Sequence, residues 1–172
     1  MHNGSLPWSE PTEIVVPDAL LAAVDGHLLL AQALARRGII DIAQARAFLS
    51  PNHYQPTPAR ELPGLTAIAD RLQAAIARRE PICVWGDFDV DGQTATTILV
   101  STLRELGAPV SYHIPLRDPE GHGITLPALD RVLADGARVL LTCDTGIGAH
   151  EAVAYAQARG VDVLITDHHD LP

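Results

Sequence analysis

The chain has 172 residues, 47% of them apolar, and a net charge of −9. This size suits one α/β domain with a short appendage, and the apolar share argues against global disorder. The negative charge, taken alone, argues against a nucleic-acid partner, because phosphate binding generally uses a basic surface. No run of about 18 apolar residues offers a transmembrane helix. Met1 to Glu10 lacks the basic and apolar regions of a signal peptide, and both absences favour the cytoplasm. All 12 basic residues are arginine. Two cysteines, Cys83 and Cys143, are too few for a disulfide framework and read as buried thiols in strands, in a reducing compartment.

Residues 1–17 are irregular, punctuated by Pro7, Pro11 and Pro17, with Trp8 expected to anchor the arm. Asp18 is placed to cap a helix running to about Arg37. Its apolar side holds Leu21, Val24, Leu28, Ala31 and Leu34, and Gly38 stops it. Asp41 caps a shorter helix carrying Ala45, Phe48 and Leu49, ended by Pro51. Residues 50–63, with four prolines, read as an ordered connector, so the expected division is 1–63 and 64–172.

From Gly64 the rhythm changes. Leu65, Ile68, Leu72 and Ile76 share one helical face, leaving Arg71, Arg78 and Arg79 to solvent. A strand at Ile82–Trp85 leads into an acidic loop, then a helix from about Gln93 to Leu106. Strand Val110–Ile114, helix Leu126–Ala134, strand Val139–Cys143, helix His150–Arg159 and strand Val161–Ile165 follow. This alternation predicts an α/β fold: an open, mostly parallel sheet with helices on both faces, preceded by a short helical lead.

Open sheets of this kind bind ligands at the carboxyl ends of their strands, where strand order reverses. Three motifs fall there. Asp87, Asp89 and Asp91 follow the first strand and are closed by Gly92. Asp144, in Cys143-Asp144-Thr145-Gly146, follows the third. Asp167, His168 and His169 follow the fourth. Three carboxylates within five residues repel one another, and a hard divalent cation such as Mg²⁺ or Mn²⁺ is their usual compensator. Alternate positions can turn their carboxylates to one side. The spacing does not say which of the three face a metal. Bound ions would also weaken the objection from net charge. An EF-hand is excluded, because its twelfth loop position is Ile98 and a strand stands where the entering helix belongs.

Asp144 alone reads as turn chemistry and gains weight from sharing that rim. A carboxylate between two metals can bridge them. Of the paired histidines, one imidazole can ligate a metal while its neighbour or Asp167 tunes it. Arg117, in Arg117-Asp118-Pro119-Glu120-Gly121-His122-Gly123, could grip a phosphate that the glycines let the backbone approach. A plain surface turn fits that stretch equally well. His113 reads as a satisfied core histidine, and His2, His27, His53 and His150 as surface or helix residues.

Together these stretches resemble the DHH phosphoesterase superfamily, whose motif stands here as Asp167-His168-His169, and within it the RecJ family of single-strand-specific exonucleases. Leu62-Pro63-Gly64, Arg36-Arg37-Gly38 and Phe48-Leu49-Ser50-Pro51 add to the likeness. His122 departs from it, since that family more often has Tyr there. The resemblance implies a DHH-type domain over 64–172 and a 5′→3′ exonuclease on single-stranded DNA in recombination and repair. It implies Mn²⁺ or Mg²⁺, two ions in the complete protein, bound by Asp89, Asp91, Asp144 and His168 and hydrolysing phosphodiesters. Asp87 and His169 are assigned to catalysis, His169 through the ligands or the transition state, and Arg117 and His122 to substrate. DNA-repair proteins such as a helicase or a single-strand-binding protein are candidate partners. The family also has a further aspartate ligand and a second domain downstream. The chain is therefore expected to be an N-terminal piece with little nuclease activity of its own. Rival readings are a phosphodiesterase for short oligonucleotides or cyclic dinucleotides, a pyrophosphatase, and a non-catalytic DHH-like scaffold.

Overall fold

Alternating strands and helices in one direction leave a sheet no choice but parallel pairing, with each connecting helix packed back on a face. In the computed structural model, which describes residues 9–170, four parallel strands are hydrogen-bonded in the order β2-β1-β3-β4. They are β1 (Ile82–Trp85), β2 (Val110–His113), β3 (Val139–Cys143) and β4 (Asp162–Thr166). Trp85 lies opposite His113 on one side and Thr142 on the other, and Cys143 lies opposite Thr166. The chain leaves β2 on one side of β1 and re-enters the sheet as β3 on the other. The reversal of strand order thus falls at the carboxyl ends of β1 and β3.

The chain divides into two compact units, Met1–Pro58 and Ala59–Pro172. The first holds three helices, α1 (Asp18–Ala23), α2 (Leu28–Arg36) and α3 (Ile42–Leu49). The single helix expected over 18–37 is broken. Asp25 and Gly26 adopt positive φ angles of 55° and 79°, and a left-handed pair ends a helix. His27 then restarts it, its Nδ1 accepting the Leu30 N–H at 3.3 Å. The break changes the helical phase, so Leu28 is exposed while Leu20, Val24, Ala31, Leu34 and Ala45 form the core of this unit. Pro17, not Asp18, is the N-cap of α1, and Asp18 sits in the first turn. There its charge meets the positive end of the helix. The Asp41 carboxylate caps α3 by accepting the Gln44 N–H at 2.8 Å. Phe48 and Leu49 on α3 are exposed. Trp8 and His2 lie outside the described residues.

In the second unit, α4 (Leu65–Arg78) and α5 (Val90–Glu105) cover one face of the sheet, and α6 (Leu126–Ala134) and α7 (His150–Gln157) the other. Alternation along the strands divides the core. Ile82, Val84, Leu141 and Cys143 join the first layer, while Cys83, Trp85 and Leu140 join the second. The two thiols are free and buried on opposite faces. Burial pushes the Cys83 thiol up to about 11. Arg71, expected in solvent, is only 23% exposed and bonds Glu80 at 2.7 Å and Asp162 at 2.6 Å. It ties the segment before β1 to the first residue of β4. No helix among the described residues is long and apolar enough to cross a membrane.

Candidate functional site

The acidic motif is shaped by close packing. Helix α5 begins at Val90, inside the motif, rather than near Gln93. The three carboxylates therefore do not alternate along an extended segment. Asp87 stands two residues past the end of β1, Asp89 is the helix cap, and Asp91 lies in the first turn. A Cβ at Gly92 would stand 2.5 Å from the Asp87 backbone nitrogen and oxygen. Only glycine lets the start of α5 lie against the end of β1 so closely.

Asp87 is buried, its side chain 6% exposed. One oxygen accepts the Phe88 N–H at 2.8 Å, and the other lies 3.0 Å from His122 Nδ1. Asp89 accepts the Gly92 N–H at 3.0 Å. That bond, helped by the Asp91 N–H and by nearby His122, holds its carboxyl below the usual range against the pull of desolvation.

The carboxyl ends of β3 and β4 supply the other wall. Asp144 is nearly buried and adopts φ 60°, an unusual backbone state that Asp tolerates better than most residues. Its N–H donates to the Thr166 carbonyl at 3.0 Å, extending the β3–β4 ladder by one bond. Its carboxylate lies 2.8 Å from His168 Nε2. Asp167 is buried, its side chain 2% exposed. It accepts the Ile147 N–H at 2.9 Å, the His169 N–H at 3.2 Å and sits 2.7 Å from His169 Nδ1. Desolvation opposes its charge, but these donors hold the Asp167 carboxyl below the usual range. The same carboxylate, by hydrogen bond and charge, raises the affinity of His169 for its proton. The sequence reading leaves open which imidazole is tuned and by what. The structure pairs Asp167 with His169, and Asp167 is the site residue that reading underrates. Its signal is its place as the first residue after a buried strand.

One ligand atom from each of Asp144, His168 and His169 can be chosen so that all lie within 4.8 Å of one another. Asp89 and Asp91 are outside that tight set. A cavity of about 500 Å³ is bordered by Asp87, His122, Asp144, Asp167 and His169. A second, of about 570 Å³, runs past Asp91, Asp144 and His168 over Leu62, Ile98 and Leu99. An equally large hollow between α5 and β2, lined by Thr97, Val100, Arg104 and Tyr112, has no cluster of titratable groups. Charge, not size, marks the site. Arg117 is exposed, with its guanidinium over the Phe88 ring. The loop that carries it is fastened by Glu120, which accepts the Leu116 N–H at 3.0 Å and the Arg131 guanidinium at 2.7 Å. Trp85 adds a bond to the Gly123 carbonyl at 3.3 Å. His113 is not the satisfied core histidine expected. It is half-buried against Trp85, and its Nε2 lies 3.4 Å from Glu120 without hydrogen-bond geometry. Burial lowers its proton affinity although Glu120 opposes this.

A parallel sheet with Asp-Asp-Asp, Asp and Asp-His-His on one rim is the arrangement the sequence resemblance foresees. The model of the DHH family N-terminal domain matches residues 81–172, and the chain belongs to that family. Among its relatives is the single-stranded-DNA-specific exonuclease RecJ of Bacillus subtilis, 37% identical over 83% of this chain and 18% of that protein. A crystal structure of exonuclease RecJ bound to manganese superposes with a TM-score of 0.64 at 38% identity, over 68% of this chain and 30% of that one. RecJ of Thermus thermophilus in complex with Mn²⁺ gives 0.60 at 31% identity, over 91% and 22%. The chain thus spans less than a third of each of these relatives.

Proposed function

We propose that this chain is the N-terminal part of a metal-dependent exonuclease that degrades single-stranded DNA from 5′ to 3′ in recombination and repair. The supporting observation is the oxygen and imidazole donors of Asp144, His168 and His169, within 4.8 Å of one another on the carboxyl rim of the sheet. Carboxylate and imidazole together fit Mn²⁺ or Mg²⁺, and buried Asp144 gains most from a cation. In this reading Asp89, Asp91, Asp144 and His168 hold the metals, with His169 near enough to join them. When bound, divalent ions supply Lewis-acid activation of the attacking water and neutralise charge on the scissile phosphate.

The remaining steps belong to the chain's own groups. Asp87 is oriented by the Phe88 N–H and His122 and holds a fixed position just past β1. His169, with Nδ1 engaged by Asp167, is held beside Asp144 and His168, where it supports the ligands and contacts the transition state. Arg117 and His122 grip the phosphate chain. The helical lead is a separate part from the catalytic domain, and the protein works in the cytoplasm. Helicases and single-strand-binding proteins are fitting partners for such an activity.

The test is Mn²⁺ binding by this chain and by its Asp144→Asn variant, with digestion assays on the full-length protein. Those assays use 5′- and 3′-labelled single strands, dinucleotides and pyrophosphate. Release from the 5′ label with loss of binding in the variant is expected. Unchanged Mn²⁺ binding would end the metal reading. Hydrolysis of dinucleotides with long single strands left intact would move the protein to another branch of the family.

A further inference from the structure

We propose that Phe88 is a positioning residue whose ring holds the Arg117 and His122 side chains beside Asp87, ready for the substrate phosphate. The positioning stands on geometry alone, while its purpose rests on the phosphate-gripping role given above to Arg117 and His122. Phe88 is the one aromatic residue of the acidic motif and belongs to neither core layer. Core packing therefore does not account for it. Its backbone is pinned on both sides. The N–H donates to Asp87 at 2.8 Å, and the carbonyl accepts the Gln93 side-chain amide at 2.6 Å. Its ring is 4.3 Å from the His122 ring and 4.5 Å from the Arg117 guanidinium carbon.

Both neighbours come from the loop after β2. That loop is fastened at its base by Glu120, Arg131 and Trp85, and none of those bonds reaches the Arg117 or His122 side chain. Arg117 makes no side-chain hydrogen bond or ion pair among the described residues. The Phe88 ring face is the contact that restrains it. A guanidinium is attracted to the negative face of an aromatic ring, and the planar imidazole packs against the same side chain. His122 is then left to bond Asp87 at 3.0 Å. An unrestrained arginine would lose rotamer freedom on gripping a phosphate, whereas one already resting on a ring has lost part of it beforehand. Phe88 has no polar side-chain atom, so its contribution is confined to orientation.

The experiment compares the full chain with Phe88→Leu, Phe88→Tyr and Arg117→Ala. Nuclear magnetic resonance follows the Arg117 Nε–H and the His122 ring protons, and the affinity for a single-stranded oligothymidylate is measured in Mn²⁺. Expected are ring-current shifts at both residues in the parent, lost in Phe88→Leu and restored in Phe88→Tyr. Affinity should fall severalfold in Phe88→Leu and recover in Phe88→Tyr. Phe88→Met gives the same contrast if the leucine variant does not fold. Arg117 and His122 resonances in Phe88→Leu that coincide with the parent's would overturn the proposal. If Arg117→Ala leaves oligonucleotide affinity unchanged while the ring-current result holds, the phosphate role fails and the positioning stands.

Discussion

The two ends of the sheet handle charge in opposite ways. At the amino ends, Arg71 closes on Glu80 and Asp162, so a permanent cation meets two carboxylates. At the carboxyl ends, three aspartates with side chains no more than 7% exposed stand at the ends of β1, β3 and β4. Each is paired with a histidine: Asp87 with His122, Asp144 with His168, Asp167 with His169. Arginine stays charged at every accessible pH, whereas imidazole is a cation only below its own titration. At one end the chain supplies its own permanent cation. At the other the partners are imidazoles, which can serve as metal ligands themselves and leave the carboxylates open to a divalent cation.

The sharpest way to break this contrast is to neutralise the carboxyl rim. Asp144→Asn should weaken Mn²⁺ binding about 100-fold or more, read by isothermal titration, because it removes a donor and not merely a support. Asp167→Asn should cost less, about 10–100-fold, since it removes the carboxylate that orients His169. An unchanged affinity there would mean that His169 takes no part in the donor set. Gly92→Ala should destabilise the second unit by about 1–3 kcal/mol, since its Cβ would press on the Asp87 backbone. Chemical denaturation reads that loss, and a neutral result would mean that α5 can back away from β1 at no cost.

The smallest effect concerns the amino end. Arg71, and secondarily Arg78, hold the Glu80 carboxyl below its ordinary value of 4.5 against desolvation. A depressed carboxyl contributes stability that is complete above about pH 4.5 and is lost as pH falls through its lower folded value. Glu80→Gln should therefore be less stable than the parent at neutral pH, and the gap should close in acid. A gap that is the same at pH 7 and pH 3 would show that the pair adds nothing through charge.

The alternation of strands and helices was legible because each buried strand is short, apolar and bounded by turn residues. Helix α6 and strand β3 have the bounds expected from their patterns, Leu126–Ala134 and Val139–Cys143. The break between α1 and α2 escaped the periodicity because Leu21, Val24 and Leu28 keep helical spacing across it. The Asp25-Gly26 pair carries the actual signal. The start of α5 was misplaced for a different reason. Carboxylates of the acidic motif read as loop, yet Asp89 is a helix cap and Asp91 a favourable first-turn charge. At the site, the residue types and their shared rim were readable from topology. The pairing of Asp87 with His122 was not, because it depends on how the loop after β2 folds back over the sheet.

Cys83 and Cys143 lie on opposite faces of the same sheet, each inside a different helical layer. Their thiols are natural clocks for those layers. Burial raises the proton affinity of both, so neither reacts readily while its layer is closed. The rate at which each is labelled by a thiol reagent then reports the opening of one layer without the other. Cys143 is one residue from Asp144 and within 3.4 Å of Thr96 on α5. If added Mn²⁺ slows labelling at Cys143 and leaves Cys83 unaffected, ligand occupancy at the rim is transmitted into a single layer of the core.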